Sequence, residues 1–203
     1  MKIFVIYNPV SGLRWIDNAS KIKKILLDRK VDYTWFETKP VPHQDFSIFL
    51  QDSYERVLVV GGDGTVREVA QFFIENKISV PLAIIPLGSA NILALTLGIP
   101  LFPLSNSLDF ALTSSSQTLD AISVNRQYYA LICAGQGYDT SLINQTTRKL
   151  KKQYGVFAYV ISFLKTFFLY FNHRYTIVVD GKRYETVGKI AIVLNGLSVL
   201  GIP

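Results

Sequence analysis

The stretch Val57-Leu58-Val59-Val60-Gly61-Gly62-Asp63-Gly64-Thr65 decides the fold. Four apolar residues, three of them β-branched, run without alternation into a glycine turn, the pattern of a strand buried on both faces beneath helices. Val69, Phe72 and Phe73 then recur at helical spacing toward Asn76, so the glycines join a strand to a helix. Thr65 and Glu68, three residues apart, read as a capping box where that helix starts. Glycines let backbone N–H groups approach an anion, and the helix N-terminus adds partial positive charge, so the turn suits phosphate. Asp63 alters that chemistry. A carboxylate repels phosphates unless Mg²⁺ or a proton donor intervenes, which points to metal-assisted phosphoryl transfer. The loop has neither the lysine of the Walker pattern nor the Gly-x-Gly-x-x-Gly spacing of the dinucleotide fingerprint. A plain strand-to-helix turn is the alternative.

Outward from this loop the pattern repeats. Residues 3–7 form a second apolar run, ended by Asn8-Pro9-Val10-Ser11-Gly12. Residues 82–86 form a third, ended by Pro86-Leu87-Gly88-Ser89-Ala90-Asn91, where Ser89 and Asn91 stand as hydrogen-bonding groups or as simple caps of a helix over 90–97. Ile22, Ile25 and Leu26 give helical spacing over 19–30, and residues 33–37 read as a strand. Strands alternating with helices imply right-handed crossovers and an open parallel α/β sheet, with three loops at the carboxyl ends of its strands. After a helix over 104–113 the pattern turns β-rich. Residues 119–124 and 127–133 read as a hairpin, Gly135-Gln136-Gly137 as a tight turn, and residues 140–171 as a helix. Asp180-Gly181 marks a type I′ hairpin turn between 175–179 and 182–185, and 190–194 is a last strand. The boundary falls between an α/β domain, residues 1–117, and a β-rich domain, residues 118–203.

Composition narrows the class. The chain has 203 residues, 49% hydrophobic and 18% charged, enough apolar surface to fold rather than stay disordered. Cys133 has no partner for a disulfide within the chain, and the first apolar run is too short for a signal peptide, so a cytoplasmic setting is expected. His43 and His173 are far apart with no cysteine beside them, against a zinc site. The net charge of +6 is ordinary for solubility, and no nucleic-acid partner is expected. Its one cluster, Arg148, Lys149, Lys151 and Lys152, precedes a run over 156–171 that is too short, with Lys165 inside it, to span a bilayer. Val156, Val160, Phe163, Leu164, Phe167 and Phe171 share one helical face. That face is either buried against the second domain's sheet or rests in a lipid headgroup layer, with Lys149, Lys152, Phe163 and Phe167 as the lipid contacts and peripheral membrane association as the result.

Asn8-Pro9-Val10-Ser11-Gly12, Gly61-Gly62-Asp63-Gly64-Thr65 and Pro86-Leu87-Gly88-Ser89-Ala90-Asn91, in this order, resemble the diacylglycerol kinase catalytic family, which includes bacterial lipid kinases and sphingosine kinases. The resemblance continues through Asp120 and residues 134–139 to Asn195-Gly196. It implies a nucleotide-binding domain related to those of NAD kinase and phosphofructokinase, then a β-sandwich-like domain, with ATP and Mg²⁺ in the cleft between. By position, Asn8, Pro9, Val10, Ser11 and Gly12, with Gly61, Gly62, Asp63, Gly64, Thr65, Val66 and Arg67, would hold the ATP phosphates and ribose. Thr38, Ser89 and Asn91 would complete the pocket. Asp63 would orient Mg²⁺ or its waters, with Asp120 joining that acidic network as the second catalytic carboxylate. The implied reaction passes the γ-phosphate of ATP to a lipid hydroxyl of diacylglycerol or sphingoid type. A homodimer is left open.

Two departures accompany the resemblance. Many members carry an Asp directly after the Asn of the third motif, where this chain has Ile92. The family's acidic general base and part of its structural metal site fall after the strand that ends near Asn195, so the chain is expected to lack the C-terminal end of the family's length. Two readings compete. An NAD kinase would share the Gly-Gly-Asp-Gly loop but not the Asn-Pro-x-Ser-Gly motif. A non-catalytic nucleotide-binding fragment or paralogue would share all three loops.

Overall fold

The computed structural model describes residues 1–12, 17–39, 44–137 and 172–195. Its apolar runs Lys2–Tyr7 (β1), Asp32–Glu37 (β2), Arg56–Gly61 (β3) and Leu82–Pro86 (β4) pair in parallel in the order β2-β1-β3-β4. The order reverses between β1 and β3, which makes their carboxyl ends a topological switch point, the place where open α/β sheets bind ligands. Helices Asn18–Asp28 (α1), Asp63–Glu75 (α2), Ile92–Thr96 (α3) and Leu104–Thr113 (α4) occupy the crossovers and the stretch after β4.

Each strand alternates between two cores, which is why its sequence does not alternate. Ile3, Val5 and Tyr7 pack with Leu58, Val60 and Ile85 against Ile22 and Leu26 of α1 and Leu108 and Ala111 of α4. Phe4, Ile6, Val57, Val59 and Ile84 face Val66, Val69 and Phe73 of α2 on the other side. Burying such side chains stabilises the fold by about 1.5–3 kcal/mol each. A 3₁₀ turn, Ser47–Gln51, completes this second core with the nearby rings of Phe46, Phe49 and Tyr54; the sequence reading assigned no element there. Buried Ser107 donates its hydroxyl to Pro100 O (2.6 Å), and Arg56 ties β3 to the end of α4 through the carbonyls of Ala111 and Ser114.

Asp17 caps α1, its Oδ1 accepting from Ser20 N (2.9 Å), and Ser20, through its hydroxyl and then its N–H, holds the carboxyl below the ordinary aspartate value. A depressed folded-state pKa stabilises the folded state above the unfolded value, and the benefit is lost as pH falls through the folded one. The stability difference between the native chain and Asp17→Ala should therefore be present at neutral pH and vanish in acid. A difference unchanged down to pH 2, followed by urea unfolding, would refute the charged cap.

The described residues group into two compact units, one of residues 1–132 with Asn195 and the other within 133–194. The hairpin Ile122–Val124 (β5) and Tyr128–Ala130 (β6), whose turn residues Asn125 and Arg126 have φ of 52° and 57°, belongs to the first unit. Asn195 joins that unit too: its N–H donates to Ile132 O (2.8 Å), and its side-chain amide donates to Leu131 O (3.0 Å) and to Asp120 O. In the second unit, Cys133–Gly137 (β7) pairs antiparallel with Ile190–Leu194 (β10). His173–Val179 (β8) pairs with Lys182–Gly188 (β9) around Asp180 (φ 49°) and Gly181 (φ 78°), the turn that Asp-Gly predicts.

Two expectations are corrected here. Gly135-Gln136-Gly137 is strand rather than turn: Gly135 stands opposite Ile192 and Gln136 opposite Ala191, and Tyr175 Oη donates to Gln136 O (3.3 Å). The helix after β4 is Ile92–Thr96, shorter than residues 90–97, because Asn91 adopts left-handed backbone at φ 51°. The helix expected over 140–171 lies outside the described residues. No helix among the described residues is long and apolar enough to cross a membrane.

Candidate functional site

The sheet order sets the loop after β3 between the loops after β1 and β4. Asn8 shapes the first. Its N–H donates to Val60 O (2.9 Å), its Oδ1 accepts from Val10 N (3.1 Å), and its carbonyl accepts from Ser11 N (3.1 Å). Its Nδ2 donates to Thr65 Oγ1 (2.8 Å), which fastens this loop to the first turn of α2. Pro9, Val10 and Gly12 stay exposed, and buried Asn18 backs Gly12.

The expected capping box is not formed. Helix α2 begins at Asp63 with Gly62 as its cap residue, two residues before Thr65. Buried Thr65 serves Asn8 instead, and Glu68 accepts from Gln44 N (3.0 Å). Asp63 reaches the opposite way: Oδ2 accepts from Ile92 N (3.1 Å) and Oδ1 from Leu93 N (3.0 Å), the first amides of α3.

The second and third loops also touch through backbone. Leu87 N donates to Gly61 O (3.0 Å), and a Cβ on Gly88 would stand 2.5 Å from Gly62 Cα. These glycines are required by loop-on-loop packing. Asn91 does not cap α3 but closes its own loop, its Oδ1 accepting from Gly88 N and its Nδ2 donating to Gly88 O, both at 2.8 Å. Ser89 is exposed at the tip.

The remaining expected residues separate. Thr38 follows β2 and donates its N–H to Tyr7 O (2.9 Å), which puts it beside the first loop. Burial pushes the Tyr7 phenol up, with Glu37 and Asp17 adding to the rise, so Tyr7 stays neutral there. Arg67 is exposed on α2 and donates to Gln71 Oε1 (3.4 Å). Val66 is 3% exposed within the core, so it presents only backbone to the loop. Its side chain lines a cavity of about 600 Å³ beside β4, along with Phe73, Ile84, Leu93 and Leu97; none of the loop glycines lines it. Asp120 is exposed just before β5, and its carbonyl accepts from Asn195. Lys149, Lys152, Phe163 and Phe167 lie outside the described residues.

The arrangement suits an anion. Amides in the first turn of a helix have no intrahelical acceptor, and a Cβ on Gly64 would meet nothing within 4 Å beyond its chain neighbours and its own helix backbone. The first turn of α2 is thus open at Gly64. For a divalent cation, no three Asp, Glu, His or Cys side chains gather among the described residues, and Asp63 is the one carboxylate of loop 61–64. Mg²⁺ keeps several waters and relies on one or two carboxylates plus substrate phosphates, so a single carboxylate fits its needs. Sequence reasoning missed Asn18 and the α3 amides. A polar residue on the buried face of α1 was the only signal for the first, and the second had none.

Residues 2–124 match the family profile of the diacylglycerol kinase catalytic domain. The chain is 30% identical to a diacylglycerol kinase of Staphylococcus carnosus TM300 over 96% of this chain and 63% of that protein. It is 34% identical to a "Probable lipid kinase YegS-like" of Klebsiella pneumoniae 342 over 66% of this chain and 44% of the relative. A crystal structure of a diacylglycerol kinase from Bacillus anthracis Sterne superimposes with a TM-score of 0.72 at 26% identity, covering all of this chain and 67% of that one. The chain thus spans under two thirds of the length of the curated relatives it matches. With a profile match over more than half its residues, on the loops whose geometry is described above, the chain belongs to the diacylglycerol kinase catalytic domain family.

Proposed function

We propose that the chain binds ATP with Mg²⁺ on its three strand-end loops and serves phosphoryl transfer to a lipid hydroxyl, of diacylglycerol or sphingoid type. The observation that carries this reading is the first turn of α2, open at Gly64 and braced on one side by Asn8 and on the other by the amides of Ile92 and Leu93. Within an α/β domain drawn at residues 1–117, the backbone of residues 61–67 and of loop 8–12 cradles the phosphates, and Thr38, Ser89 and Asn91 flank the nucleotide. Asp63 is the residue to orient Mg²⁺ or its waters, with Asp120 as the further carboxylate. Bound Mg²⁺ supplies charge neutralisation for the transferring group. The loops supply position and fixed dipoles, the two largest contributions a protein makes to phosphoryl transfer. Lys149, Lys152, Phe163 and Phe167 are assigned to lipid contact.

Titration of the chain with ATP and Mg²⁺, read as a rise in thermal unfolding midpoint, tests the binding half. At ATP a hundredfold above Kd the stabilisation should be about 2.7 kcal/mol. No rise at millimolar ATP would end the reading. Transfer from radiolabelled ATP to mixed lipid vesicles tests the other half, and binding without transfer would reduce the function to nucleotide binding.

A further inference from the structure

We infer that Asp63 is a positioning residue, whose carboxylate holds loop 88–91 in register with the phosphate loop whether or not a metal is bound. The inference rests on the nucleotide-site reading and adds to it a duty that the protein performs in its nucleotide-free state. Both carboxylate oxygens accept from consecutive backbone amides, Ile92 N at 3.1 Å and Leu93 N at 3.0 Å. Helix α3 has five residues and no side-chain cap of its own, because the side chain of Asn91 is turned back to both polar groups of Gly88. Without Asp63 the first amides of α3 would lose their acceptor, and a negative group is favoured at that end of a helix. The same turn of α2 holds the first loop through Thr65 and Asn8. One turn therefore grips both neighbours, Thr65 toward β1 and Asp63 toward β4. Gly62 and Gly88 also pack directly, so the Asp63 bonds and this backbone contact together fix where Ser89 and Asn91 stand.

The test uses the 203-residue chain and its Asp63→Ala and Asp63→Asn variants. Amide hydrogen exchange at Ile92 and Leu93 is measured without nucleotide, and ATP affinity is measured with Mg²⁺ and again with a chelator. Loss of a charged acceptor should speed exchange at the two amides roughly tenfold to a hundredfold in Asp63→Ala. Asp63→Asn keeps one acceptor oxygen and should fall between. ATP affinity should drop with the chelator as well as with Mg²⁺. Unchanged exchange at both amides in Asp63→Ala would overturn the inference, and so would an affinity loss confined to the Mg²⁺ arm. If the native chain binds no ATP while exchange rises as expected, the grip on α3 stands and the nucleotide reading fails.

Discussion

Gly88→Ala should weaken ATP binding at least tenfold and destabilise the fold by about 1–3 kcal/mol, the usual cost of forcing a methyl group into filled space. The added Cβ would lie 2.5 Å from Gly62 Cα and 2.7 Å from Asn91 Oδ1. Neither neighbour can yield cheaply. Gly62 is main chain at the head of α2, and Asn91 Oδ1 is held by Gly88 N. Relief requires the second and third loops to part, which would pull the Ile92 and Leu93 amides from Asp63. Gly64→Ala makes the informative contrast. Its Cβ would meet nothing within 4 Å, and Ala favours a helix over Gly by up to about 1 kcal/mol, so stability should hold or rise. Yet the new methyl group would stand in the opening where the proposed function puts the phosphate, so affinity should fall. Urea unfolding and calorimetric titration separate the two effects. Native stability and affinity in Gly88→Ala would show that the contact of the loops is dispensable.

Phe4→Ala should cost about 3–5 kcal/mol, a large share of the 5–15 kcal/mol that stabilises a typical domain. Phe4 is fully buried in the middle of β1, and its ring centroid lies 5.1 Å from Tyr54, 5.6 Å from Phe49 and 6.1 Å from Phe36. Removing the ring strips several aromatic contacts at once and leaves a cavity that the surrounding strands cannot close. The loss should appear as a lower urea midpoint with an unchanged slope. Phe4→Leu, which keeps most of the volume, should lose much less. A midpoint equal to that of the native chain in Phe4→Ala would show that these rings do not support β1. Since β1 delivers Asn8 to the site, ATP affinity should decline in step with the folded fraction.

Much of the fold was legible from near neighbours. Apolar runs at 3–7, 57–60 and 82–86 announced strands covered on both faces, and both cores confirm why no alternation appears in them. Asp180-Gly181 announced a turn whose φ angles the structure bears out. Where the reading failed, a distant partner decided. Gly135-Gln136-Gly137 looks like a turn until Ile190–Leu194 pairs with it, and residues 47–51 carry no clear period because Phe49, their one ring, serves a core built mostly from other elements.

The candidate site divides along the same line. By itself the sequence determined that three strand-end loops carry glycines with Asn8, Asp63 and Asn91, since strand periodicity and turn chemistry depend on residues a few positions apart. Only the tertiary structure decided what those side chains do. Thr65 and Glu68 have the spacing of a capping box but meet Asn8 and Gln44, and Asp63 meets the amides of α3. Backbone amides are alike in every residue, so no sequence pattern names the carboxylate they will find. That choice falls to the crossovers, which bring the ends of β1, β3 and β4 side by side.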